Sequence, residues 1–310
     1  MTTNPAPFVI DPYLTGIAIA YQNGVLIADS VLPRIAVGKS EYNFTRYPIA
    51  EEFRIPNTFV GRTGQVRQVE LTGTKDTGSV NDYGIEVPVP QRDIDNAPAN
   101  IKPLDRATKK ATNIILLDRE VRVANIVFNT SSYGSGNRTT LSGSSQFSDP
   151  TSDPIGVVNA GIDACMQRPN KLVFGRAAWT GFRANPKVVK AANKNSGDSG
   201  NASRQAVADL FEVAEVQVGE SFLNTAKPGQ AATLSRVWGK HIALLFIDPL
   251  ADSSDGITFG WTAQWKSRVS GTRPLPDVGL EGATAVRAGE MVEEKIIAND
   301  CGYFIQNAVA

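Results

Sequence analysis

The chain has 310 residues, of which 42% are hydrophobic and 20% charged, the proportions of a globular protein of one large or two smaller domains and not of a disordered one. Lysine plus arginine and aspartate plus glutamate both total 31, with a pI near 6.6; this excludes a protein whose main task is gripping nucleic acid, though not one that surrounds it. Cys165 and Cys301 match neither a zinc spacing nor a redox pair and read as buried apolar residues in a reducing compartment.

The N-terminus, MTTNPAPFVIDP, lacks the basic and apolar regions of a secretory signal. The longest apolar run, residues 242–247, falls far short of the ~20 residues that span a bilayer. These features predict a soluble chain made in the cytoplasm, without a membrane partner.

Residues 1–37 are punctuated by proline and carry apolar patches (Ile17-Ala-Ile-Ala, Val25-Leu-Ile-Ala) too small for a core of their own. They predict an N-terminal arm that lies against another surface. Within residues 38–92, segments 65–71 and 85–89 alternate apolar and polar residues, the period of strands, around the turn-rich TGTKDTGSVNDYG. The expected hairpin carries Arg62, Arg67, Glu70, Lys75, Asp76 and Glu86. A two-stranded hairpin is marginal alone, so it packs on its own subunit or projects onto a neighbour.

Pro103 suits the first position of a helix. Leu104, Ala107, Ala111, Ile114, Leu117, Val121, Ala124 and Phe128 then recur every three or four residues. At ~1.5 Å per residue this helix spans about 40 Å, a strut joining distant parts of the subunit. The Gly/Ser-rich run over 129–154 ends it.

Residues 170–250 open with a buried strand, NKLVFG, and an amphipathic helix, RAAWTGFRANPKVVKAA, carrying Trp179 and Phe182. After a polar loop, QAVADLFEVAEVQVGESFLNTA predicts a short helix leading into a strand at 213–218, and VWGKHIALLFIDP a second apolar strand. Phe259, Trp261 and Trp265 mark an aromatic strand; from Glu290, EMVEEKIIANDCGYFIQNAV predicts two closing strands turning near Asn299-Asp300. No fixed-period repeat is present.

Catalytic and ligand motifs do not hold up. Gly38-Lys39-Ser40 ends like a phosphate loop, but Pro33 stands where its first glycine belongs and a strand follows where a helix N-terminus is needed. Gly134-Ser-Gly136 imitates a dinucleotide fingerprint, yet it follows a helix and Thr139 replaces the third glycine. His241, the single histidine, opens an apolar strand and reads as a structural residue rather than a general base. Asp248, Asp252 and Asp255 lack the spacing and terminal glutamate of a calcium loop. Lys187, Lys190 and Lys194 read as a solvated helix face. The expectation is no enzyme, no catalytic or metal residues and no cofactor; a soluble enzyme with an unreadable site is the competing class.

Three phrases in order, LVFGRAAWTGFRANPKV, VAEVQVGESFLNTA before VWGKHIALLF, and VEEKIIANDCGYFIQ, resemble tailed-phage major capsid proteins. That family has the Hong Kong 97 fold, which encapsulins and herpesvirus capsids share. The resemblance covers nearly the whole chain as an order of elements. It implies an α+β fold with an N-terminal arm (1–37), an extended loop (38–92), a peripheral domain with the long spine helix (93–154 and 251–310) and an axial domain (155–250). It also implies a non-enzymatic subunit that self-assembles into hexamers and pentamers of an icosahedral head shell in the host cytoplasm. The virion shell would enclose double-stranded DNA through salt-sensitive, sequence-independent contacts at Lys102, Arg106, Lys109 and Lys110. Scaffolding, decoration and portal proteins are further implied partners, and an encapsulin-like shell around protein cargo is the alternative. In the family the extended loop crosses a neighbouring peripheral domain, so Arg62, Arg67 and Lys75 are expected to meet Glu290, Glu293 and Glu294 of another copy. Some members cross-link a loop lysine to an asparagine, here Lys75 and Asn299; most are held without such bonds, and a non-covalent shell is expected.

Overall fold

The computed structural model describes residues 8–46, 55–68, 74–193, 197, 199–253 and 256–310. Residues 1–7 of the expected arm, Glu70 and the end of the expected strand at 69–71, Lys194 and Asp255 lie outside the described residues. The N-terminal part supplies β1 (Val9–Ile10), α1 (Pro12–Ala20), α2 (Ala28–Val31), β2 (Arg34–Val37), β3 (Glu41–Arg46), β4 (Thr74–Ser79) and β5 (Asn81–Pro90). After α3 (Gln91–Asp95) come the long helix α4 (Pro103–Val127), β6 (Arg138–Thr140) and α5 (Pro154–Ala164). There follow β7 (Lys171–Gly175), α6 (Arg176–Ala184), α7 (Pro186–Asn193), α8 (Arg204–Phe211) and β8 (Glu215–Gly219). A ribbon, β9 (Phe222–Asn224) and β10 (Leu234–Arg236), precedes β11 (Ile242–Leu245). The chain closes with β12 (Gly260–Trp265), β13 (Val269–Leu275), β14 (Ala283–Ile296) and β15 (Gly302–Gln306).

One sheet runs β1-β13-β14-β12-β2, with β5 on the free side of β14. Burial along β14 largely alternates, as in a sheet covered on one face. The cover is α4: Ala111 and Ile115 pack on Ala288 and Ile85, and Ala107 joins Leu14, Val89 and Val286. Leu14 and Ala18 of α1 are buried too, so this part of the arm lies on its own subunit. Asp11 caps α1 by accepting from the Tyr13 N–H at 2.8 Å.

The buried stripe of α4 departs from the expected one. Ala107, Ala111 and Ala124 are inside, but Ile114 is 37% exposed and Leu117 and Val121 are half-buried. The face turned inward carries Thr108, Thr112, Ile115, Leu116, Arg119, Glu120, Val123 and Val127. Apolar periodicity missed it because two fully ionisable residues occupy its centre. Ile114→Asp is therefore expected to fold normally and to change stability by only about 0.5 kcal/mol. Ile115→Asp, one residue on, would bury an unpaired charge and cost several kcal/mol, at least about 3; urea unfolding of the two variants checks the contrast.

The second sheet runs β6-β15-β11-β7-β8. Its central strands are apolar on both faces, and Phe174, Trp179, Phe182, Phe211, Leu244 and Ile305 form one core between sheet and helices. The expected single helix after β7 is two, broken at Asn185-Pro186. Proline cannot donate within a helix and suits the first turn of a new one, where the Asn185 side chain accepts from the Lys187 N–H at 3.1 Å. The two expected closing strands, β14 and β15, are present with a turn at Asn299–Cys301 between them, but they do not pair with each other. β14 belongs to the first sheet and β15 to the second, between β6 and β11. An all-apolar run such as Tyr303-Phe304-Ile305 fits a strand covered on both faces, whereas β14 alternates. Residues 138–140 and 302–306 thus share a sheet with β7, β8 and β11 of segment 155–250.

Candidate assembly interface

The extended loop is rooted by β3 and β4, paired antiparallel from Glu41↔Ser79 to Arg46↔Thr74. Segment 65–68 is not strand, and β5 pairs with β14 rather than with the loop. The hairpin read from sequence therefore had the wrong partner: period-2 alternation identifies a strand but not its neighbour.

Aromatic packing fixes the root. Phe44 meets Trp261 edge-on at 5.7 Å between ring centres, and Tyr42 lies 5.8 Å from the same indole. The Tyr42 hydroxyl donates to Glu293 Oε2 at 2.6 Å, and Lys295 Nζ donates to the Thr77 carbonyl at 2.9 Å. Burial and the Glu293 carboxylate both hold the Tyr42 phenol well above its ordinary value. Gly78 lies beneath the Tyr42 ring, where a Cβ would overlap the phenol.

Beyond this root, residues 55–68 are exposed throughout. Ile55 is 89%, Phe59 84% and Val66 76% exposed, and Arg62, Arg67 and Lys75 also face solvent. Large apolar side chains left exposed on their own subunit are what a docking surface requires.

The acidic set does not form one surface. On β14, Glu290 and Glu294 share a side and Glu293 takes the other. Glu290 is buried and accepts from Arg34 Nη1 at 2.9 Å and Arg268 Nη2 at 3.2 Å. Glu294 accepts from Arg122 Nη2 at 2.9 Å and faces Arg119 Nε at 3.7 Å. Arg119, itself buried, donates to Asp29, to the Leu32 carbonyl at 3.1 Å and to Thr262 Oγ1 at 2.9 Å. Burial opposes ionisation of Asp29, but Arg119 and Arg34 outweigh it and hold the carboxyl below its usual range. Glu290 and Glu294 are thus committed to cations of their own chain, and reversing Glu294 would disturb the fold before any contact between copies. Glu293 holds its own loop root.

A second buried carboxylate joins α2 to the residues over the second sheet. Glu120 accepts from Trp238 Nε1 at 2.5 Å, from the Ala28 N–H at 2.8 Å and from the Ile27 N–H at 3.0 Å. Burial pushes its carboxyl up. Trp238 lies over Gly175 and Gly219, which are paired across β7 and β8 and leave no room for a Cβ. One helix residue therefore holds the N-terminal segment and the second sheet together. Sequence reading missed Arg119 and Glu120, although both fall on the helical face of Ile115, Leu116 and Val123.

The weaker motifs lie apart. Gly38-Lys39-Ser40 bends between β2 and β3, and Gly134–Gly136 lies in the loop before β6. Among the described residues no three His, Cys, Asp or Glu side chains are grouped to hold a metal ion. Cys165 and Cys301 are both buried, and burial raises the Cys165 thiol to about 12. No helix among the described residues is long and apolar enough to cross a membrane.

No family model matches the chain. It is 49% identical over 305 residues to the major capsid protein of Pseudomonas phage JBD67, covering 98% of this chain and 99% of that one. With the major capsid protein of Burkholderia phage BcepMu it shares 28% identity over 96% of each. A phage-related protein from Bordetella bronchiseptica superposes with a TM-score of 0.75 at 23% identity, covering 98% of both chains. A capsid protein of an Escherichia coli CFT073 prophage superposes at 0.59 and 10% identity, over 97% of this chain and 99% of that one. These likenesses identify the α+β architecture as the Hong Kong 97 fold. With near-half identity along 98% of its length to a phage major capsid protein, the chain belongs to the family of phage major capsid proteins.

Proposed function

We propose that this capsid subunit forms hexamers and pentamers that close into an icosahedral head around double-stranded DNA. The observation that carries the reading is the exposed apolar segment 55–68 on its anchored stem. A neighbour that covers Ile55, Phe59 and Val66 would desolvate them and bring Arg62, Arg67 and Lys75 against its own surface. Closed symmetry repeats such a contact around the shell, so individually modest, non-covalent interfaces suffice. The axial sheet, with β6 and β15 added, would surround the capsomer axis. Arg106, Lys109 and Lys110, exposed along the first half of α4, and Lys102 before it would face the genome and bind it without reading sequence.

Scaffolding, decoration and portal proteins would act on this subunit in the host cytoplasm, and the mature protein would reside in the virion. The role is structural rather than enzymatic. The phage relatives favour a DNA-filled head over a shell around protein cargo. Electron microscopy of the expressed chain tests the reading: closed shells or capsomers are expected, and a monomer at high concentration under all salts and pH values tried would overturn it.

A further inference from the structure

His241 stands at the start of β11, in the wall of a cavity of about 280 Å³ also lined by Asn125, Phe128, Thr130, Val237 and Gln306. Its ring is held edge-on to Phe128 at 5.6 Å and tilted to Phe304 at 5.6 Å. Nδ1 accepts the backbone N–H of Asn307 at 3.0 Å. An imidazole nitrogen accepts only when unprotonated, so this contact requires the neutral ring.

What that nitrogen holds is the segment that follows β15. Asn307 has φ +55°, the left-handed conformation that asparagine tolerates better than most residues. It turns the backbone out of β15 into a short tail. There the Ala308 N–H donates to the Lys240 carbonyl at 3.0 Å, and the Phe147 N–H to the Ala308 carbonyl at 2.7 Å. Gln146 Nε2 donates to the carbonyls of Asn307 at 3.1 Å and Val309 at 3.0 Å. Ala308 and Val309 are buried in the axial core, with Val309 against Gly181 of α6. The tail is therefore a closing piece of that core, and His241 grips its first residue.

We propose that His241 is an acid-sensitive catch: protonation of Nδ1 ends its bond to Asn307 and frees the C-terminal tail from the axial core. The cavity gives protons a path to the ring. Two cations are near it: Lys240 beside it in sequence, and Arg138, which donates to the Thr130 carbonyl at the cavity edge at 3.0 Å. The packed segments 125–130 and 302–306 add only one titratable group, the Tyr303 phenol. Burial first, and then Lys240, lower the histidine below its ordinary value. The sign follows from that direction. The grip is complete above the ordinary histidine pKa of about 6.5, weakens as pH falls below it, and is lost on passing through the lowered folded-state value.

Hydrogen exchange of the full-length chain from pH 7.5 to 5.0, corrected for intrinsic rates and read on C-terminal peptides, tests the catch. Protection at Asn307 and Ala308 is expected to fall by up to about tenfold per pH unit below pH 6.5, while β7 and β11 stay protected. His241→Asn places an amide oxygen near the position of Nδ1 and does not titrate; its tail should be protected at pH 7.5 with no slope. A flat profile in the unsubstituted chain, equal losses in β7 and β11, or an unchanged slope in His241→Asn would each overturn the proposal. The first two need no variant to fold.

Discussion

Glu290→Leu is expected to lower the stability of the subunit by about 3–5 kcal/mol, the usual consequence of removing one partner from a buried ion pair. Glu290 is the shared acceptor of Arg34 and Arg268, and its side chain is wholly inaccessible. Without it Arg34 keeps Asp29, but among the described residues Arg268 keeps the Ala18 carbonyl alone, at 2.7 Å, and a positive charge remains inside. Glu290 Oε1 and Arg34 Nη2 already lack hydrogen-bond partners among the described residues, so the network is not the most stable filling of this space. A double replacement, Arg268→Met with Glu290→Leu, should therefore recover part of the loss. Urea denaturation of dissociated subunits measures both: the midpoint should drop sharply for the single variant, with an unchanged slope, and rise again for the double one. Equal midpoints for Glu290→Leu and the unsubstituted chain would mean that the pair contributes nothing.

Phe59→Ser should have the opposite profile. Phe59 touches solvent across 84% of its surface in the single subunit, so the variant should fold with stability changed by no more than about 0.5 kcal/mol. Assembly should suffer heavily. An aromatic anchor at the centre of an interface contributes about 2 kcal/mol or more, and every subunit of a closed shell would lose it. A drop of at least about tenfold in particle yield is expected, since about 1.4 kcal/mol per contact already shifts one association equilibrium tenfold. Arg62→Glu with Arg67→Glu should do less, because exposed ion pairs are worth only about 0–1 kcal/mol each. Circular dichroism checks the fold, and light scattering with electron microscopy checks assembly. Normal particles from Phe59→Ser would remove this side chain from the interface.

The two experiments separate what segment 283–296 does from what its sequence suggests. Three glutamates within five residues read as an acidic patch, yet the pleat sends Glu293 to one side and Glu290 and Glu294 to the other. Which side is buried depends on α4 and β2, whose arginines arrive from 170 or more positions away. Pairing over such separations leaves no local trace.

Sequence alone determined the elements whose cause is local. Pro103 and a long 3.6-residue period specify the start and span of α4; the apolar run after His241 specifies β11; KLVFG specifies β7. The order of these phrases was enough to reach the fold through its resemblance to phage major capsid proteins. Tertiary structure decided everything that depends on a partner distant in the chain. It turned α4 so that Arg119 and Glu120, rather than Ile114, face inward, because Asp29, Thr262, Glu294 and Trp238 were there to satisfy them. It gave β5 to β14 and β15 to the sheet of β7 and β11, and left residues 55–68 in solvent. A period fixes which residues share a face; only the assembled chain fixes what that face meets.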